Sequence, residues 1–201
     1  MIRLRALLAL LTVPVVVSCA STERFYQLTA SKAPLRAPET RPIQIVALSL
    51  KLPELLTRAQ MVLLASPNRL EILEQERWAE PLEDQVTRVL AEDLEQRIPG
   101  LLVTPPRLVS GKSDATQVRV DVVSLLADRW GTARLEARWT IADADAATPL
   151  LGSCVITVPL GQADYEGIAQ AYSSAVGELS ERIADGLAAR SEPRLTRGEP
   201  R

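Results

Sequence analysis

The chain has 201 residues, 23 basic against 25 acidic side chains, two cysteines and no histidine. That length suits one domain with a real core. A net charge of −2 without a basic stripe excludes a nucleic-acid surface, and the missing histidine removes the commonest general base and metal ligand.

Arg3 and Arg5 stand at the start of an apolar zone, Leu4 to Val17, which closes on Val16-Val17-Ser18-Cys19. A basic start, an apolar run and a small residue before a cut describe an export signal. A cysteine straight after that small residue makes a lipobox. Residues 1–18 then read as a lipoprotein signal peptide, and Cys19 as the first mature residue, carrying fatty acyl chains. Two or more such chains hold a protein stably on a membrane. Ser18-Cys19-Ala20 also fits an ordinary secretory cut, which stays open. A transmembrane span needs roughly 20 apolar residues, more than this zone supplies, and Pro14 interrupts it. A buried core helix is at odds with the arginine-then-apolar start. Ala20, where an aspartate would retain the protein at the inner membrane, favours the outer membrane by the sorting rule of enteric bacteria. Without Arg3 and Arg5 the net charge is −4.

Residues 19–24 form a short tether of at most about 20 Å. The domain is expected over 25–190, with a disordered polar tail over 191–201. Phe25-Tyr26-Gln27-Leu28 opens it as a strand. Ser31 to Pro42, with prolines at 34, 38 and 42, is an extended connector. Ile43 to Leu48 reads as a strand rich in β-branched residues. Leu52 to Arg58 reads as a helical turn opened by Pro53. Gln60 to Ala65 is a continuous apolar run, hence a strand covered on both faces. Ser66-Pro67-Asn68-Arg69 turns it into a second arm, Leu70 to Glu76.

Arg77-Trp78-Ala79-Glu80-Pro81 leads into a helix. Leu82, Val86, Val89, Leu90, Leu94 and Ile98 make its buried stripe, and Pro99-Gly100 stops it. Glu83, Arg88, Glu92, Asp93, Gln96 and Arg97 are expected on a solvated face. Trp78 has two readings: core packing where strand turns into helix, or an aromatic face offered to a partner beside Arg77. Tryptophan and arginine are the residues enriched at contact hot spots.

The order strand, Leu52-Pro53-x-x-Leu56-x-Arg58-x-Gln60-x-Val62, turn, strand, then Arg77-Trp78-Ala79-Glu80-Pro81-Leu82 entering a helix resembles the ABC-type transport auxiliary lipoprotein family, the PqiC- and YmbA-like membrane-integrity lipoproteins. The Phe25-Tyr26-x-Leu28 start shortly after a cysteine is similar to that family's opening. The resemblance covers most of the mature chain in element order, with its specific motifs between 52 and 82. It implies a non-catalytic lipoprotein subunit of an intermembrane lipid transport system. The implied partners are an MCE-domain periplasmic protein, an inner-membrane permease and a cytoplasmic ATPase. Ring-like homo-oligomers are compatible with such assemblies, and no motif specifies them.

In the second half, Leu101 to Val103 is a brief strand and Ser110 to Asp114 a polar loop. Val118, Val120, Val122 and Leu126 alternate with Gln117, Arg119 and Asp121. Ala133, Leu135, Ala137, Trp139 and Ile141 alternate with Arg134, Glu136, Arg138 and Thr140. Two period-2 strands meeting at Asp128-Arg129-Trp130-Gly131 make a hairpin. Either two-residue loop, 129–130 or 130–131, puts both apolar sets on one side and Arg138 near Asp121. Trp130, at the tip, is either packed or free to touch a membrane or a partner. Asp143 and Asp145 lack the glycine and glutamate of a calcium loop and read as a solvated turn. Gly152 to Leu160 is a strand whose Cys154 shares a face with Ile156 and Val158. A lone thiol is either reactive, an intermolecular bridge, or a small buried hydrophobe; the alternation favours the last. Tyr165 to Ala189 is a second long helix, capped near Asp164, with Ile168, Tyr172, Val176, Leu179, Ile183 and Leu187 on its buried stripe.

The sequence holds no triad, zinc cluster, phosphate loop or nucleophile elbow, so no enzyme activity, cofactor or metal is expected. The expected fold is α+β, one domain: an antiparallel-rich sheet of about six or seven strands with two long helices on one face. A structural envelope lipoprotein without a transport role, and a carrier with its own lipid pocket, are the competing functions.

Overall fold

A computed structural model describes residues 22–31, 43–109, 115–129, 131–143 and 148–191. Eight strands and two long helices form an α+β domain: β1 (Arg24–Tyr26), β2 (Gln44–Lys51), β3 (Gln60–Ser66), β4 (Arg69–Trp78), α1 (Leu82–Arg97), β5 (Leu101–Thr104), β6 (Thr116–Asp128), β7 (Thr132–Ala142), β8 (Leu150–Pro159) and α2 (Tyr165–Ser191). Short 3-10 turns follow β2 at Glu54–Leu56, entered from Pro53, and β5 at Pro106–Leu108. The expected tail begins inside α2, and its remainder from 192 lies outside the described residues.

The sheet is mixed rather than antiparallel-rich. β1 pairs parallel with β4, and β2 pairs parallel with both β5 and β6. β3 meets β6 in parallel at Leu63–Ala127 and Leu64–Asp128. The hairpins β3–β4, β6–β7 and β7–β8 supply the long antiparallel ladders. Hairpins announce themselves by a local turn. Parallel partners come from distant parts of the chain and leave no mark in the local pattern. One edge of β6 is divided: β2 takes residues 116–121 and β3 takes 127–128. β7 covers the whole opposite edge.

The β6–β7 hairpin has the expected faces but a different turn. Far from the tip the register runs Val118↔Ile141 and Asp121↔Arg138; near the tip it runs Leu125↔Leu135 and Ala127↔Ala133. The loop therefore holds three residues, 129–131, closed by Gly131 at φ 89°, a conformation that favours glycine. Asp128 Oδ1 accepts the Thr132 N–H at 3.0 Å. A bulge between Val122 and Ser124 restores the phase. Beyond it Leu125, not Leu126, faces the core, and Val123 is turned out.

Both helices lie on one face of the sheet. α1 packs on β2 and β5, α2 on β7 and β8, and the helices touch each other. Leu82, Val86, Val89, Leu90 and Leu94 of α1 meet Tyr172, Val176, Leu179 and Ile183 of α2 in one continuous core. Asp164 caps α2 through its Oδ1, which accepts the Gly167 N–H at 2.7 Å. Asp93 departs from expectation: it is buried between the helices rather than solvated. Asp143 departs too. It accepts bonds from Arg190 at 2.7 and 2.8 Å and from Thr116 Oγ1 at 2.6 Å, which ties the end of α2 to the sheet. Asp145 lies outside the described residues.

Candidate functional site

Two features set this domain apart from a closed core: a backbone strap laid on the helices, and a sheet face that no helix among the described residues covers.

The strap is the segment after β1. Leu28 is buried, and its N–H reaches Gln85 Oε1 of α1 at 2.7 Å. The Thr29 N–H reaches Ser173 Oγ of α2 at 3.1 Å, and the Ser31 N–H reaches Asp93 Oδ1 of α1 at 2.7 Å. Arg88 returns a bond to the Leu28 carbonyl at 3.1 Å. An extended chain has no backbone partners of its own, so buried polar side chains of both helices supply them. Burial pushes the Asp93 carboxyl above its ordinary value, against the bond from Ser31 and the charge of Arg97. Upstream, buried Glu76 accepts Arg24 and the Tyr26 hydroxyl, and Arg24 stands 5.7 Å from the Tyr165 ring. Burial and that carboxylate push the Tyr26 phenol up to about 12.

The uncovered face carries the outward positions of β2, β6, β7 and β8. Lys51, Asp121, Arg138 and Ser153 form one row across the four strands; Ser49, Arg119, Thr140 and Leu151 form the next. Together they line a groove of about 930 Å³. Three cations stand there against one carboxylate, and Leu151 is 71% exposed. Such a surface offers arginine and apolar contact to an acidic or mixed segment.

The residues singled out in sequence fall apart in space. Trp78 is 5% exposed and stacks on Tyr172 at 5.7 Å, so its core reading holds and it offers no free aromatic face. Arg77 is turned outward, bonded to Glu23 at 2.9 Å beside β1. Cys19 and Trp130 lie outside the described residues. Cys154 shares the inner face with Ile156 and Val158 but is only half-buried, and burial pushes its thiol up. Gln85 and Asp93 were missed, although both sit at helical spacing from Val89, on the apolar stripe itself.

The family model described as the ABC-type transport auxiliary lipoprotein component matches residues 26–184. The chain belongs to this family. As an ABC-type transport auxiliary lipoprotein it is associated with a transport system and with a membrane, and its family is not one of enzymes. No helix among the described residues is long and apolar enough to cross a membrane. A crystal structure of an uncharacterized protein matches with TM-score 0.70 and 17% identity, over 83% of this chain and 99% of that one. Protein XCC0632 from Xanthomonas campestris matches with TM-score 0.65 and 15% identity, over 84% of this auxiliary lipoprotein and 99% of that chain. At such identities the likeness is one of fold. No curated protein matches.

Proposed function

We propose that this auxiliary lipoprotein is a non-catalytic subunit of an MCE/ABC-type intermembrane lipid transport system. Cys19 supplies a lipid anchor at the periplasmic face of the outer membrane, and the domain docks the periplasmic MCE-domain protein there. An inner-membrane permease and an ATPase complete the system. The observation that carries the docking role is the sheet face left bare by both helices, with its cationic groove at Lys51, Arg119 and Arg138. The groove is open to solvent, which suits holding a partner better than enclosing a lipid. Arg77, on the anchor side, and Trp130, at the β6–β7 tip, are secondary contact candidates.

The test is in-cell photocrosslinking from positions 119 and 151, read by mass spectrometry. Recovery of an MCE-domain protein supports docking. Recovery of outer-membrane proteins alone overturns it and favours a structural envelope role.

A further inference from the structure

The cations of the helix-free face are not used alike. Arg134 meets Glu136 at 3.1 Å. Lys51, Arg119 and Arg138 are exposed, and none of the ion pairs among the described residues uses them. Arg119 donates to the neutral Gln117 Oε1 at 2.9 Å. Asp121 lies between Lys51 and Arg138 in the register and pairs with neither. Three cations against one carboxylate leave a surplus of positive charge in one groove. Exposed charge of this kind contributes little to the fold, and it is free to meet a ligand.

Sheet geometry sets how far apart these charges stand. Neighbouring strands lie about 4.8 Å apart, so Lys51 and Arg138, on either side of Asp121, are separated by about 10 Å. Arg119 pairs with Thr140 and is the diagonal neighbour of Arg138, at about 7–8 Å. Arg138 pairs with Ser153 and has Leu151 as its own diagonal neighbour, again at about 7–8 Å. A single phosphate draws its cations onto one point. Here they are spread, with a carboxylate lodged between two of them, so the groove matches separate, smaller anions. In an extended chain, residues two apart share a face and stand about 6.8 Å from each other. That step fits the diagonal from Arg119 to Arg138 and the next one from Arg138 to Leu151.

We infer that the groove reads an extended segment of the docked partner with the pattern acidic-x-acidic-x-apolar, in either chain direction. The first carboxylate sits between Lys51 and Arg119. The second takes the fork of Arg138, whose parallel N–H donors match a carboxylate in geometry as well as charge. The apolar side chain lies on exposed Leu151. Ser49, Thr140 and Ser153 supply hydroxyls to the segment's backbone, which crosses the strands instead of extending the sheet. Asp121 opposes every anion in the groove, so a segment with one carboxylate gains little and a segment with two is selected. The inference rests on the docking role and names the chemistry that the partner presents to it.

The test uses the full chain in dodecyl maltoside and a fluorescein-labelled peptide, Gly-Glu-Ser-Glu-Ser-Leu-Gly, followed by anisotropy. The peptide should bind, and its counterpart with lysine for both glutamates should not. Arg119→Gln and Arg138→Gln should each weaken binding about tenfold, and Asp121→Asn should tighten it about threefold. These side chains hold no ion pair in the domain, so circular dichroism should not change. NaCl near 1 M, where screening reaches in to about 3 Å, should release the peptide. A peptide that fails to bind, or binds regardless of Arg138→Gln, overturns the inference. So does displacement by an equal concentration of inorganic phosphate, which would make the groove a phosphate site. In cells, photocrosslinkers at Thr140 and Ser153 leave the cations intact. An MCE-domain protein linked through a paired-acid segment supports both the inference and the docking role. The same protein linked through a segment without paired acids overturns the inference alone. A paired-acid segment of another protein overturns the choice of partner alone, and a second copy of this chain on the groove overturns both.

Discussion

Two aspartates show how burial and pairing push one chemistry in opposite directions. Asp93 is buried with one oxygen, Oδ2, lacking a hydrogen-bond partner, and its carboxyl is raised. Asp143 is held below its ordinary 3.8 first by the Thr116 hydroxyl and then by Arg190. The signs follow from which state binds protons more readily. For Asp93 the folded state does, so its burial penalty fades as pH falls from neutral through the raised value. For Asp143 the unfolded state does, so its contribution is present above 3.8 and is lost as pH falls through the lowered value. Denaturation across pH should therefore show wild type gaining on Asp93→Asn with acidification and losing its lead over Asp143→Asn. Parallel curves for either pair would refute that assignment.

At the scale of elements, the strap depends on side chains that belong to helices. Gln85→Leu would leave the Leu28 N–H unpaired in a buried site and remove the part-buried bond to the Glu80 carbonyl. A loss of about 1–3 kcal/mol is expected, read by urea denaturation, together with faster hydrogen exchange at Leu28. In β8, Gly152 lies opposite Trp139, and an added Cβ would fall 2.2 Å from the indole. Gly152→Val should cost about 1–3 kcal/mol through overpacking and shift the tryptophan fluorescence; unchanged emission would contradict the contact. These elements also mark what was legible beforehand. The stripes of α1 and α2 and the alternation of β6 and β7 were plain, because each period repeats over many residues. The bulge at Val123 was not, because Val122-Val123 and Leu125-Leu126 are apolar at both phases. The strap was hidden because its partners are polar residues on an apolar stripe. The spacing that buries Gln85 and Asp93 was visible, but their chemistry argued for solvent. The proposed docking face was legible as the polar side of the hairpin, whereas its continuation onto β2 needed a parallel pairing that no local pattern announces.

At the scale of the whole molecule, β1, the helices and the bare sheet face stand in a fixed order. Cys19→Ser should abolish lipid attachment and release the protein from the envelope pellet on fractionation; a variant still processed and still membrane-bound, with normal barrier function, would refute the anchor. On the proposed anchor, the chain that reaches β1 would come from the membrane; after β1 it runs across both α1 and α2, held by each. A pull on that end is thus not met by a strand peeling off an edge one bond at a time. It loads both helices together, and through them the core, so the domain would behave as a pier sunk in its footing and pass tension on to whatever it holds with little give of its own.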